Sequence, residues 1–325
     1  MSIIPLIDIS DLDPTADHSS SGAIIDAAES VGFFAIQGHG IDASVFSELR
    51  HLLQRLFSAP EEIKHHQRIQ RANYRGFIPL GFFTPNRDDP EAPAPDAYEG
   101  YKLHWECPED HRVRAQSPLY GANRWPDHVP ELQGSILRYW QACDRITDRL
   151  LAVFEAALGL SASQMRSLFS TPVTNMTLLH YPPTRPEENV AGIHPHKDTN
   201  VLTLLHPDPV GGLEVRSRNG DWIEATCPDD ALMVNTGDMM EVWSGGRFLS
   251  TPHRVINTTG AERYSFPYFS VPDHDVVMTP MVEPRPGFVE REPVSVGPWS
   301  LEVWRTNWAD AQPEDDTAHL GTIDF

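Results

Sequence analysis

The chain has 325 residues, a net charge of -21 and a pI near 5.0, enough length for a sizeable core in one or two domains. So acidic a surface repels phosphate backbones, and nucleic acid is not an expected partner. Cys107, Cys143 and Cys227 show no paired spacing, which argues against a disulfide scaffold or a zinc ribbon and fits a reducing, cytoplasmic setting.

The start has no basic leader, and no run approaches 18 apolar residues, so neither a secretion signal nor a membrane span is expected. The sequence defines no oligomeric state. Ile4 to Ile9 reads as a short strand, and residues 19–30 suit a helix. Val31 to Ile36 reads as a second strand, closed by the turn Gly38-His39-Gly40. Residues 43–57 run at helical period through Val45, Leu49, Leu52, Leu53 and Leu56. Residues 74–105 are aromatic and glycine-rich, broken by a proline- and acid-rich loop. Lys102 and Arg75 in this region could pair with an anion, but a solvated face is the expected setting for both. A long helix is expected from Leu132 to Leu158, with a buried stripe through Ile136, Tyr139, Trp140, Cys143, Ile146, Leu150, Val153 and Phe154, and with Gly159 ending it.

Val173 to Tyr181 reads as strand, stopped by Pro182 and Pro183. Short alternating strands follow, with turns at Pro207-Asp208-Pro209, Asn219-Gly220 and Gly245-Gly246; this pattern suits a double-sheet jelly roll. His196 and Asp198 stand among them. In an extended strand residues i and i+2 point to one side, roughly 6.6 Å apart, so both side chains can converge on one ion. His253 must arrive on another strand. Two histidines and one carboxylate cover one face of an octahedral metal and leave the other open. That arrangement is the expected one for non-haem Fe(II) that must also bind O2 and a co-substrate. Arg263 and Ser265 are again i and i+2, and a guanidinium fork grips a carboxylate through two parallel charge-assisted hydrogen bonds. Asp238 reads as a turn carboxylate.

These segments resemble the 2-oxoglutarate-dependent Fe(II) oxygenases of the isopenicillin-N-synthase-like group. The family's ordered motifs appear as His196-Lys-Asp198, Leu202-Thr-Leu-Leu205, Val210-Gly-Gly-Leu213, Gly220-Asp-Trp222, Val234-Asn-Thr-Gly-Asp238, Ser244-Gly-Gly246, His253-Arg-Val255 and Arg263-Tyr-Ser265 up to Phe269. The opening strand, helix, G-F-F strand and H-G-I turn are similar to the family's N-terminal region. The resemblance implies a mainly β fold with flanking helices around a double-stranded β-helix, a cupin-like jelly roll. It implies Fe(II) on His196, Asp198 and His253. It implies 2-oxoglutarate held by Arg263, Ser265 and Tyr181, with Leu204 and Val255 packed on it, and O2 as second co-substrate. Where the family often has asparagine two residues before the tyrosine, this chain has Leu179. The implied reaction is hydroxylation, desaturation or cyclisation of a small organic molecule, a specialised metabolite, with release of succinate and CO2. An aspartate at 198 argues against halogenation, for which relatives carry a small residue there. Phe83, Tyr101, His104, Phe269 and Trp304 are the candidate substrate contacts.

Residues 1–170 are expected to pack as a helix-and-strand region on a jelly-roll core of 171–276. An extension of 277–325 follows, with a helix near 298–308, all in one structural unit. Other readings are an oxidase of the same fold that uses no 2-oxoglutarate, and a jelly-roll protein that only binds. A further one is a zinc hydrolase, because His194, His196 and Asp198 also fit H-x-H-x-D. Thr199 stands where that hydrolase pattern continues with histidine, and an extended strand would hold His194 roughly 13 Å from Asp198. His194 is therefore expected beside the metal set or on the surface.

Overall fold

The computed structural model describes residues 4–13, 19–84, 94–115, 117–184, 191–257, 259–289 and 291–307, with side chains in the last helix up to Val303. The strands are β1 (Leu6–Asp8), β2 (Phe33–Gln37), β3 (Gly76–Ile78), β4 (Glu99–His104), β5 (Asn175–Tyr181), β6 (Ile193–His196), β7 (Leu202–Leu205), β8 (Leu213–Arg216), β9 (Trp222–Glu224), β10 (Leu232–Thr236), β11 (His253–Val255), β12 (Arg263–Ser265) and β13 (Tyr268–Ser270). A further small pair, β14 (Val277–Met278) and β15 (Val294–Ser295), follows. The helices are α1 (Ser19–Ser30), α2 (Ala43–Phe57), α3 (Glu61–His66), α4 (Glu131–Ala157), α5 (Asp238–Trp243) and α6 (Val296–Asn307).

One large sheet runs β1-β2-β10-β7-β13-β5-β4-β3, and β12 also pairs with β5. A second sheet runs β6-β11-β8-β9. Strands from both sides of residue 170 thus share one sheet. β12 and β13 keep one register on β5, Arg263 opposite Tyr181 and Phe269 opposite Asn175. Pro267 separates them, because it has no N–H to give the ladder.

The two faces of the large sheet bury different things. Phe33 and Ala35 of β2, Leu179 and Tyr181 of β5, and Met233 of β10 pack against Leu213, Val215 and Val255 of the second sheet. This closes the double-stranded β-helix. The opposite face packs on α1, α2 and α4. α2 starts where the Asp42 carboxylate accepts the Ser44 N–H at 2.8 Å. α4 buries the stripe its period predicts, and each such residue contributes about 1.5–3 kcal/mol. Its chain leaves at Gly159, whose φ of 67° is the left-handed conformation that glycine adopts at a helix end. No helix among the described residues is long and apolar enough to cross a membrane.

Candidate active site

The pairing of β6 with β11 sets His196 directly opposite His253. Their rings lie 4.3 Å apart, centre to centre. β6 ends at His196, and Asp198 follows in the loop, with its backbone oxygen accepting the Asp238 N–H at 2.7 Å. Asp198 Oδ1 lies 3.8 Å from His196 Nε2 and 3.7 Å from His253 Nε2. One donor atom from each residue falls within 4.8 Å of the others, close enough to hold one ion.

Neighbouring groups aim these atoms. His196 Nδ1 lies 2.8 Å from the His194 carbonyl, and His253 Nδ1 lies 3.1 Å from the Thr251 carbonyl. A carbonyl can only accept, so each Nδ1 carries a proton and Nε2 is the ring nitrogen turned towards Asp198, the one available to a metal. Burial, then repulsion from His196, pushes the His253 imidazole down to about 4 and keeps it neutral. Thr203 Oγ1 and Asn235 Nδ2 donate to Asp198 Oδ2 at 2.6 and 2.8 Å, leaving Oδ1 turned to the histidines. Burial would raise the Asp198 carboxyl, but His253, His196 and these two donors outweigh it and hold it low. Gly237 lets the loop come this close: a Cβ there would sit 2.3 Å from Asn200 O and 2.7 Å from Asp198 O.

Arg263 is buried on the inner face, opposite Tyr181. Its guanidinium lies 4.7 Å from the Tyr181 ring centre. Nε donates to Gly211 O at 2.7 Å, while Nη1 is buried with no hydrogen-bond partner among the described residues. A buried donor left so is costly, and an incoming acceptor would satisfy it. Ser265 and Val255 are buried beside it on the inner side.

A cavity of about 260 Å³ opens over His196 and Asp198, with Phe83, His104 and Phe269 among its walls. Several expectations need correction. Leu204 does not reach the clamp; it lies in the helix-side core. Thr203 faces Asp198, so strand alternation turns Leu204 away and brings Leu205 inward. Tyr101 also points away, because its neighbour Lys102 takes the cavity side. The Tyr101 hydroxyl bonds Gln67 and the Arg124 carbonyl. Lys102 and Arg75 are not solvated. Lys102 is buried in the cavity wall, and Arg75 is wholly buried against the carbonyls of Asn73 and Leu119. His194 lines the cavity but turns to Asp96, 2.8 Å from Nδ1. The side chain of Trp304 lies outside the described residues. Sequence reasoning missed Thr203 and Asn235; the asparagine stood in plain view in the Val234-Asn-Thr-Gly-Asp238 motif.

Fold and site together define a non-haem metal oxygenase. Residues 173–272 match the 2OG-Fe(II) oxygenase superfamily, and residues 4–128 match the family described as "non-haem dioxygenase in morphine synthesis N-terminal". A 2-oxoglutarate-dependent dioxygenase of Trichoderma harzianum is 34% identical over 81% of this chain and 82% of its own length. One from Monascus ruber is 30% identical over 94% and 95%. A Neurospora crassa enzyme solved with α-ketoglutarate and thymine superimposes with a TM-score of 0.78 at 25% identity, covering 93% of this chain and 96% of that one. The chain belongs to the 2-oxoglutarate/Fe(II)-dependent oxygenase family, of the isopenicillin-N-synthase-like type. It is an oxidoreductase that uses Fe(II), 2-oxoglutarate and O2 to oxidise a small molecule.

Proposed function

We propose that His196, Asp198 and His253 hold the Fe(II), that Arg263, Ser265 and Tyr181 receive the distal carboxylate of 2-oxoglutarate, and that the adjoining cavity orients a specialised metabolite for hydroxylation, desaturation or cyclisation. The observation that carries this reading is the convergence of three donor atoms within 4.8 Å, with a buried guanidinium nitrogen that has no partner among the described residues in the same jelly-roll interior. The bound iron and 2-oxoglutarate supply the oxidising chemistry, with succinate and CO2 as co-products. The chain's own residues position the substrate and exclude water. Phe83, Phe269 and His104 serve as substrate contacts. At about 260 Å³ the cavity sits near the lower end of small-molecule pockets, which suits a compact substrate. A cytoplasmic location fits the free cysteines.

The test is anaerobic titration of the Fe(II) protein with 2-oxoglutarate, followed by its metal-to-ligand charge-transfer absorption and, after O2, by succinate. Oxidised product without 2-oxoglutarate consumption would sink the co-substrate assignment.

Two further outcomes are expected. Asn235→Ala leaves Asp198 Oδ2 with one donor fewer and lowers iron affinity by about 10–100-fold, the usual effect of losing a group that orients a ligand. Iron titration measures it; unchanged affinity would show that Asn235 does not aim the carboxylate. His194→Ala keeps one iron per chain, because His194 faces Asp96. Loss of one of two bound zinc ions on that substitution would favour a hydrolase instead.

A further inference from the structure

His194 and Asp96 form a pair in the wall of the cavity that His196 and Asp198 line. The pair belongs neither to the three metal donors nor to the carboxylate clamp. Asp96 Oδ1 accepts the His194 backbone N–H at 2.9 Å and the ring Nδ1 at 2.8 Å. Asp96 is itself buried, and its backbone N–H donates to Phe83 O at 3.0 Å. The next residue, Ala97, donates to Ala191 O at 3.1 Å, which ties this stretch to the segment entering β6. Two bonds to one fixed oxygen, one from the backbone and one from the ring, set where the imidazole sits. A carboxylate oxygen only accepts, so Nδ1 carries a proton and Nε2 is the ring nitrogen left for another group. Among the described residues no hydrogen bond is made to His194 Nε2.

The strand places this nitrogen beside the metal position. His194 and His196 are two apart on β6, so their Cα atoms stand roughly 6.6 Å apart with side chains on one side. Both side chains line the cavity, and the His194 carbonyl accepts His196 Nδ1 at 2.8 Å. A group bonded to His194 Nε2 would hold the rest of its molecule next to the metal, against the apolar walls made by Phe83, Ile193 and Phe269.

Charge narrows what that group can be. With one proton on the ring the Asp96–His194 pair carries a net negative charge, and with two it is neutral. In neither case does it attract an anion. An ammonium would need a carboxylate of its own, and Asp96 Oδ1 already serves two N–H groups. A neutral group that can both give and take a hydrogen bond suits either form of the ring. A hydroxyl does this in the least space: it donates to a bare Nε2 or accepts from an Nε2–H.

We propose that His194, aimed by Asp96, binds a hydroxyl group of the substrate through Nε2 and so sets which part of the molecule faces the metal. This deepens the reading above and rests on its metal and 2-oxoglutarate assignments. It makes His194 a specificity determinant, which favours alcohols relative to hydrocarbons of the same shape, and Asp96 a positioning residue.

The experiment uses the protein loaded with Mn(II) and saturating 2-oxoglutarate. The probes are benzyl alcohol and ethylbenzene, which differ by a hydroxyl in place of a methyl. Saturable paramagnetic relaxation of the probe protons reports binding beside the metal. The ratio of the two affinities is the readout, because it cancels the ring packing that both probes share. His194→Phe should shift that ratio against the alcohol roughly tenfold, as when a buried hydroxyl loses its partner. His194→Gln, whose amide also gives and takes hydrogen bonds, should keep most of the ratio. Asp96→Ala should lower it part of the way by releasing the ring. An unchanged ratio in His194→Phe, or no saturable binding of benzyl alcohol, would overturn the proposal. A crystal of the unaltered loaded protein soaked in benzyl alcohol tests it without any variant. The hydroxyl oxygen is expected about 2.7–3.2 Å from His194 Nε2, and a hydroxyl placed elsewhere in the cavity overturns the assignment. The anaerobic Fe(II)–2-oxoglutarate absorption separates the two layers. If it forms normally while the alcohol contact is missing, only the His194 assignment fails. If it does not form, the underlying reading fails.

Discussion

Asp198→Ala is expected to abolish turnover and strip most of the iron while leaving the jelly roll folded. With three protein donors there is no spare, and Asp198 alone brings negative charge to the ion. Removing one partner from a buried charged pair costs roughly 3–5 kcal/mol, which corresponds to about two to four powers of ten in affinity. Some stability should go as well. Thr203 and Asn235 would lose their acceptor, and each buried donor left unpaired costs about 1–3 kcal/mol. Asp198→Asn is the finer control, since its amide oxygen can still accept from one of them while the charge is gone. His196→Ala and His253→Ala should silence the enzyme in the same way. His253→Ala also removes a ring packed edge-on to Phe33 at 5.3 Å, so its melting temperature should fall further. Iron per chain, succinate formation and thermal melting make up the measurement. Near-normal iron and activity in His253→Ala would show that the set is assigned wrongly.

Much of this was legible because spacing and chemistry agreed. The stripe on α4 and the period of α2 predicted their helices to within a residue or two, since each buries one face and wets the other. The metal set was legible because few arrangements need two histidines and a carboxylate at such separations. β4 was not legible. Tyr101, Lys102, Leu103 and His104 alternate apolar and polar, which suggests a strand with a solvent-facing polar side, yet every residue from Glu99 to His104 is buried, Lys102 and His104 against the cavity. Its charges are tolerated through contacts that sequence does not display: Glu99 is gripped by Lys64 Nζ at 2.7 Å and His180 Nδ1 at 2.8 Å. Leu204 and Leu205 posed a question of parity. An L-T-L-L run reads the same on either face, and it is Thr203's hydroxyl bond to Asp198 that settles which leucine turns inward. α5 was missed because its six residues are nearly all buried and too few to show a period.

Arg263→Ala is expected to weaken 2-oxoglutarate binding by about two to four powers of ten without touching the iron. The guanidinium is buried, anchored at Nε by Gly211 O and braced over the Tyr181 ring, so only part of its donor set is already used. Nη1, buried and without a hydrogen-bond partner among the described residues, is the donor that a distal carboxylate would meet. Losing one partner of such a pair leaves the other charge uncompensated, at roughly 3–5 kcal/mol, and each 1.4 kcal/mol is about tenfold. Arg263→Lys should restore only part of the affinity. An ammonium keeps the charge, but it cannot hold Gly211 O and present a planar two-point fork together. Ser265→Ala should cost about 1.5–3 kcal/mol at most, the range for one hydrogen bond to a charged group. None of the three changes touches His196, Asp198 or His253, so iron content should stay at one per chain. Titration of 2-oxoglutarate into the anaerobic Fe(II) protein reads the affinity directly. If Arg263→Ala bound it like the unaltered enzyme, the distal carboxylate would have to be held elsewhere, and the buried Nη1 would need another explanation.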